Sequence, residues 1–143
     1  MNTERAFAVV TGGGTSGHVL PALAIADALV AGGHERASIH YGGTLRGVET
    51  TLLPPTGYPH TFLDVVGLQR SVSARNLAFL PKLFGAVRAA RALLQELQPK
   101  VVVNVGGYGS FPATWAARRL QIPYVVVSYD RRRKDKCGPV QEY

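Results

Sequence analysis

A glycine-rich stretch that ends in a histidine lies near the N-terminus, at residues 12–18 (GGGTSGH). It follows an apolar run at residues 6–10 and precedes a segment with helical spacing that begins near Leu20. Glycines let a backbone approach a ligand closely, and a helix start presents N–H groups and a positive dipole end to an anion. The stretch therefore indicates a phosphate-binding loop, although the same pattern also serves merely to join a strand to a helix.

A second glycine-rich turn occupies residues 106–110 (GGYGS) and follows the strongest buried-strand pattern of the chain, residues 101–105 (VVVNV). If both preceding strands belong to one parallel sheet, the two turns lie together at its carboxyl edge, where such sheets bind ligands. An ordinary strand-to-helix turn remains the alternative for residues 106–110.

The elements that must position these turns alternate along the chain between strand-like and helix-like patterns. Buried-strand patterns occupy residues 6–11, 37–41, 61–66, 101–105 and 124–128. Helical patterns occupy residues 20–31, 48–53, 77–97 and 112–120, the third of them regular from near Pro81. This alternation predicts an α/β fold, a Rossmann-like doubly wound parallel sheet. Within the third helix we expect Phe84, Val87 and Leu94 to pack in the core.

Length and composition predict one globular unit. The chain has 143 residues, of which 46% are hydrophobic and 17% charged, and its single Cys137 has no partner for a disulfide or a zinc site. Its net charge of +7 rests largely on a basic block at residues 131–136. We therefore predict a domain over residues 1–130 and a basic tail, disordered or truncated, over residues 131–143.

The same composition argues against several function classes. No apolar run reaches the ~20 residues that cross a bilayer, and no signal peptide is evident, so a cytoplasmic location is expected. Nucleic acid is not an expected partner, because outside the tail no basic surface is interleaved with aromatic residues. No metal-ligand spacing occurs, so the site is expected to hold no metal.

One family with a similar opening loop is the short-chain dehydrogenases, whose motif resembles residues 11–17. Val19 stands where that motif has its last glycine, no acidic residue ends the second strand, and no Tyr-x-x-x-Lys pair is present. An NAD(P)-binding dehydrogenase-like domain is kept as an alternative.

The MurG family of glycosyltransferases resembles the chain at four separated places. Residues 13–22 (GGTSGHVLPA) are similar to the family's first glycine loop, and residues 106–112 (GGYGSFP) to its second. Gly43, Thr44 and Glu49 fit the turn after the second strand, and residues 67–68 fit the next loop. The resemblance covers residues ~6 to ~130 and implies the N-terminal, acceptor-side lobe of a two-lobed GT-B enzyme.

The resemblance implies a role for each loop. Thr15, Ser16 and Gly17 match the loop that contacts the donor UDP-N-acetylglucosamine, with Ser16 in place of a more usual glycine. His18 is a candidate general base for the acceptor hydroxyl; its alternative is a histidine with a structural hydrogen bond. Asp130, a further candidate donor contact, aligns with a family asparagine.

The second loop is implied to bind the acceptor diphosphate through Gly107, Tyr108 and Ser110. No cofactor is implied, because helix ends and loop amides can stabilise the leaving diphosphate.

A membrane contact is the other implication, since the family's acceptor is a lipid-linked muramoyl-pentapeptide. Leu77, Phe79, Leu80 and Lys82 combine apolar and basic side chains that suit an anionic bilayer surface. We expect peripheral attachment to the inner face of the plasma membrane; core packing of these apolar residues is the alternative.

Taken together, the sequence predicts the N-terminal half of an inverting hexosyltransferase that moves N-acetylglucosamine in peptidoglycan synthesis. Such a half is expected to be incomplete alone and to need a separate C-terminal donor lobe. A non-catalytic, membrane-associated subunit of a split glycosyltransferase remains a further alternative.

Overall fold

A five-stranded parallel sheet organises the protein, in a computed structural model that describes residues 5–65 and 79–127. The strands are β1 (Ala8–Thr11), β2 (Ile39–Thr44), β3 (His60–Leu63), β4 (Val101–Asn104) and β5 (Tyr124–Val126). The helices are α1 (Ser16–Ala31), α2 (Glu49–Leu52), α3 (Phe79–Leu97) and α4 (Phe111–Arg119). The strand order is β3-β2-β1-β4-β5, and every pair is parallel. The predicted α/β doubly wound sheet is confirmed.

The central strand β1 separates two apolar cores. Successive side chains of a strand point to opposite faces, so the fully buried Val9 and Val10 lie in different cores. Val10 packs with Tyr41 and with the α1 residue Val19. Val9 packs on the other side with residues of α3 and α4, among them Leu94. The sheet is thus covered by helices on both faces, as its continuously apolar strands require.

Two element boundaries differ from the sequence prediction. α1 begins at Ser16 rather than near Leu20, because Thr15 has an extended backbone and helical geometry starts directly after it. β2 continues through Gly42 and Gly43 to Thr44, because Gly42 pairs with both β1 and β3, and Gly43 and Thr44 pair with β3. The longer β2 carries Thr44 to the carboxyl edge of the sheet.

The expected core position of Phe84 is wrong. The buried stripe of α3 consists of Ala86, Ala90 and Leu94, which recur every four residues. Phe84 lies on another side of the helix and is 73% exposed, whereas Leu94 is buried as expected and Val87 is half-buried. The small alanines, not the phenylalanine, let α3 pack closely on the sheet.

Several predicted features lie outside the described residues. These are Leu77, Asp130, the side chain of Phe79 and the tail over residues 131–143. Among the helices within residues 5–65 and 79–127, none is both long enough and apolar enough to span a bilayer.

Candidate functional site

Two glycine loops meet at the carboxyl edge of the sheet. The first glycine loop (residues 12–17) follows β1 and runs into α1, and the second glycine loop (residues 106–110) follows the neighbouring β4. The short turn after β2, residues 45–48, lies on the other side of the first loop. Parallel pairing of the three strands brings these segments together, as the sequence predicted for the two glycine loops.

The two glycine loops are in direct contact. A Cβ on Gly107 would lie 2.2 Å from the carbonyl oxygen of Gly13, and a Cβ on Gly14 would lie 2.4 Å from the Tyr108 ring. Gly14 and Gly107 also have positive φ angles of 95° and 84°, which residues other than glycine rarely adopt. Glycine is therefore required at both positions, by conformation and by space.

His18 lies where the two loops meet. Its Nδ1 is 2.9 Å from the Thr15 hydroxyl oxygen, and a Cβ on Gly106 would lie 2.8 Å from its Cδ2. The histidine is half-buried, whereas Thr15, Ser16 and Gly17 are exposed at the start of α1. The first turn of α1 holds no acidic residue, so the positive end of its dipole is not offset by an acidic side chain there. The start of α1 at Thr15, Ser16 and Gly17 can bind an anion, and the His18 imidazole can accept or donate a proton.

Polar side chains within and beside the second glycine loop hold its backbone in place. Ser110 is fully buried and its hydroxyl donates to the Gly106 carbonyl at 2.6 Å, so that hydroxyl is committed to the loop. Asn104 accepts from the Gly106 N–H at 2.7 Å and donates to the Thr114 hydroxyl at 2.6 Å. Tyr108 is 38% exposed and covers Gly14. Sequence reasoning attached to Asn104 only a faint likeness to a turn of the short-chain dehydrogenases and no role in the site, although a polar residue at the end of a buried strand was an available signal.

Hydrogen bonds with β2 and with the first residue of α2 hold the first glycine loop. The Tyr41 hydroxyl donates to the Gly12 carbonyl. The carboxylate of Glu49, a fully buried residue, accepts from the Thr44 N–H at 2.8 Å and from the Thr44 hydroxyl at 2.6 Å. The Gly14 N–H lies 3.3 Å from each oxygen of the same carboxylate. The sequence marked Glu49 only as part of a motif, with no role attached.

Within residues 5–65 and 79–127 no three His, Cys, Asp or Glu residues lie close enough together to hold a metal ion. The groups at this edge are the start of α1, hydroxyl groups, the imidazole of His18 and the buried carboxylate of Glu49.

A separate surface on α3 and α4 combines apolar and basic side chains. Leu80 is 62% exposed and Phe84 73%, and the basic residues Lys82 and Arg88 are also exposed. Phe84 and Arg88 line a shallow groove together with Trp115, whose ring also carries the guanidinium of Arg119 at 4.7 Å. We call Leu80, Lys82, Phe84, Arg88 and Trp115 the α3 surface.

Residues 8–127 match the model of the glycosyltransferase family 28 N-terminal domain. A curated relative from Lacticaseibacillus casei is 44% identical over 82% of this chain and 32% of its own length. Another, from Mycobacterium tuberculosis, is 47% identical over 85% of this chain and 30% of its own length. Both are named UDP-N-acetylglucosamine--N-acetylmuramyl-(pentapeptide) pyrophosphoryl-undecaprenol N-acetylglucosamine transferase.

Among solved structures, Acinetobacter baumannii MurG is similar, with a TM-score of 0.71 and 31% identity. The similarity covers 85% of this chain and 34% of that structure. The chain spans about a third of the length of the curated relatives that it matches.

Proposed function

Because this chain belongs to glycosyltransferase family 28, whose N-terminal domain it matches over residues 8–127, we propose that it is the N-terminal half of a peptidoglycan hexosyltransferase. The resemblance to the MurG family and the Rossmann-like lobe of GT-B type are confirmed by the comparisons. The reaction we assign is transfer of N-acetylglucosamine from UDP-N-acetylglucosamine to a lipid-linked muramoyl-pentapeptide. The family assignment favours this reaction over hydride transfer by a dehydrogenase-like domain.

The observation that carries the proposal is the contact between the two glycine loops with His18 where they meet. In a single inverting displacement, the acceptor hydroxyl attacks the anomeric carbon of the donor sugar while the bond from that carbon to UDP breaks. The proton of the hydroxyl has to leave, and His18 takes it as general base. The diphosphate of UDP leaves beside Thr15, Ser16 and Gly17, where the start of α1 stabilises its negative charge.

Thr15 has a second task in this scheme. A general base must offer an unprotonated nitrogen, so the imidazole tautomer matters. If the Thr15 hydroxyl accepts from Nδ1–H, then Nε2 carries the lone pair that receives the proton. We assign this tautomer to the working state, with Thr15 as the residue that fixes it.

The acceptor side of the site is assigned to the second glycine loop. Backbone N–H groups around Gly107 and the exposed part of Tyr108 contact the acceptor diphosphate. Ser110 supports them indirectly, since its hydroxyl is bonded to the Gly106 carbonyl. Asp130, outside the described residues, stays a proposed donor contact.

A lipid-linked acceptor places the enzyme at a membrane, and the α3 surface suits that contact. Its apolar side chains can enter the bilayer interface while its basic ones meet anionic headgroups. We propose peripheral attachment at the inner face of the plasma membrane, with Leu80 and Lys82 in contact and with Leu77 and Phe79 as sequence-based additions.

The test is a fusion of this chain to the C-terminal lobe of the Mycobacterium tuberculosis relative. The fusion is expected to transfer radiolabelled N-acetylglucosamine from UDP-N-acetylglucosamine to the lipid-linked acceptor, whereas either part alone is not. His18→Ala in the fusion is expected to lower kcat ~100-fold or more, the usual loss for a general base. His34→Ala, a histidine stacked on Phe7, is the matched control.

A folded fusion without transfer activity would contradict the transferase assignment. If the chain alone sediments with anionic vesicles in that case, the non-catalytic membrane subunit becomes the better interpretation.

A further inference from the structure

We propose that Glu49 is a positioning residue that fixes the first glycine loop by holding the Gly14 N–H, and that this tether keeps the loop competent to bind a diphosphate. The binding of a diphosphate by the first glycine loop rests on the function proposed above. The tether itself is a property of this chain and can be measured without any ligand.

The surroundings of Glu49 indicate a specific task for its charge. The residue is 0% exposed, and in the part of the chain that the structure describes its carboxylate has no ion-pair partner. A buried carboxylate without a cation is costly, and hydrogen bonds must compensate. The backbone N–H groups of Thr44 and Gly14 donate these hydrogen bonds to the Glu49 carboxylate. Gly14 lies on the first glycine loop, 35 positions from Glu49 in the sequence. An apolar residue would fill the same space at no such cost, but it could not hold the loop.

Close backbone approach shows that the space around the carboxylate is fitted to it. A Cβ on Gly47 would lie 1.8 Å from Oε2, and a Cβ on Gly13 would lie 2.5 Å from Oε1. Glycines from the turn after β2 and from the first loop therefore both contact the carboxylate. Because the carboxylate bridges these two segments, a shift of its oxygens moves the first loop relative to β2.

The tether also decides which groups can meet a ligand. The Gly14 N–H points at Glu49 and is not available to a phosphate oxygen. The part of the first loop left for an anion is its end at Thr15, Ser16 and Gly17, exposed at the start of α1. The loop thus works as a rigid support for a helix start, unlike a nest in which each successive N–H binds phosphate.

Three variants of the full 143-residue chain separate this role from a merely structural one: Glu49→Gln, its control Thr44→Val, and Gly47→Ala. Glu49→Gln keeps the shape and an oxygen for both Thr44 bonds, but it removes the charge and replaces one of the two oxygens that face the Gly14 N–H with an NH₂ donor. Thr44→Val is the matched control: it also removes a buried hydrogen bond of Glu49, yet leaves Gly14 and the carboxylate in place. The readout is amide hydrogen exchange by NMR, with Gly14 compared with the core amide of Val103 in the same sample.

Glu49→Gln is expected to lower the protection of Gly14 relative to Val103 by about tenfold, because hydrogen bonds to an ionised acceptor are the stronger ones. Thr44→Val is expected to leave that ratio within about twofold of the parent chain, whatever stability it loses. Gly47→Ala keeps the charge but displaces the carboxylate, and it should reproduce the effect of Glu49→Gln. Unchanged Gly14 protection in both Glu49→Gln and Gly47→Ala would overturn the proposal, as would an equal loss in Thr44→Val.

Inorganic pyrophosphate, titrated into the same labelled samples, tests the link to function. Its affinity is expected to fall about tenfold in Glu49→Gln and to change little in Thr44→Val, in line with the loss of the tether. Equal affinities for the parent chain and Glu49→Gln would overturn the link. No binding to the parent chain at all would count against the proposed function, while a Gly14 amide that is protected only with Glu49 present would still support the tether.

Discussion

At the scale of single residues, the pair formed by Thr15 and His18 gives a direct prediction. If Thr15 accepts from Nδ1–H, its hydroxyl favours the tautomer protonated at Nδ1, and its removal takes that preference away. Thr15→Val is therefore expected to shift the tautomer ratio of His18 by about fivefold, the equivalent of one ordinary hydrogen bond of ~1 kcal/mol. Long-range ¹H–¹⁵N spectra of the histidine rings measure this ratio, and Thr15→Ser should retain the parent value. An identical His18 spectrum in Thr15→Val would contradict the positioning role.

The residues of the candidate site differ in how far the sequence alone predicts their positions and contacts. The two glycine loops and His18 could be found because their spacing is local and their residue types are unusual. The bond between Gly14 and Glu49 could not, because it joins positions 35 residues apart and depends on how far β2 extends. For the same reason the sequence placed the Ser110 hydroxyl at the ligand, whereas burial commits it to the Gly106 carbonyl. Whether the predicted site residues bind substrate stays a prediction.

At the scale of elements, α3 illustrates a limit of hydrophobic periodicity. The large side chains of this helix suggested an inward face that includes Phe84, but the sheet accepts the alanines at 86 and 90 instead. Since a period of 3.6 residues allows more than one apolar stripe on a 19-residue helix, only the packing partner decides between them. The outward Phe84 enlarges the surface that the sequence had assigned to the membrane through Leu80.

This arrangement separates stability from membrane binding in α3. Phe84→Glu is expected to change the free energy of unfolding by no more than ~0.5 kcal/mol, as for other surface substitutions, whereas Leu94→Ala should cost ~2–5 kcal/mol. Phe84→Glu should nevertheless weaken sedimentation with anionic vesicles several-fold, because it replaces an apolar side chain at the proposed bilayer contact with a negative charge. Leu45→Glu, at a position 53% exposed elsewhere on the protein, is the matched control for added negative charge. Equal vesicle binding of both variants would remove the membrane role from this helix.

A half-buried histidine on β2, next to β3, makes the stability of the folded chain depend on pH. Burial lowers the pKa of His40 from 6.5 to about 4, with a smaller contribution from His60 on β3, and its Nε2 lies 2.9 Å from the Thr61 hydroxyl. The folded state thus binds a proton on His40 less readily than the unfolded state does. The contribution of the neutral His40 to the free energy of unfolding is fully present above about pH 6.5 and is lost as the pH falls toward 4.

The decrease in the free energy of unfolding at acid pH is expected to be about 2 kcal/mol or less, because His40 keeps some contact with solvent. Urea midpoints at pH 7 and pH 4.5 measure it. His40→Gln cannot titrate and can still bond to Thr61, so its two midpoints should differ less than those of the parent chain. An equal difference in both proteins would show that other groups carry the acid sensitivity.

At the scale of the whole molecule, the sequence predicted the layers of the fold but not the neighbours within the sheet. Alternating βα patterns require parallel strands and two covered faces, and both are present. The order β3-β2-β1-β4-β5 depends on which strands pair although they are far apart in the sequence. Local sequence patterns carry no information on that pairing. The domain limit at residue 130 and the separate tail stay predictions.

The two edges of the sheet differ in a way that only the assembled fold reveals. Among the described strands β3 ends one edge with three half-buried residues and the buried Leu63, and the exposed Asp64 directly after it pairs with Arg46 at 3.7 Å. β5 ends the other edge with Tyr124, Val125 and Val126 exposed by 42%, 52% and 56%. Edge strands that expose apolar side chains favour pairing with another chain.

We therefore expect the isolated chain to self-associate through β5 in a concentration-dependent manner. Val125→Lys places a charge on that edge and should shift the sedimentation profile toward the monomer, whereas Leu45→Lys adds the same charge elsewhere and should not. Association that is unchanged in Val125→Lys would assign it to another surface, with the α3 surface next to be tested by Phe84→Lys. A chain that stays monomeric at all concentrations would show that the exposed apolar area of β5 is too small to drive pairing, since a specific interface buries on the order of 1,200 Å² or more.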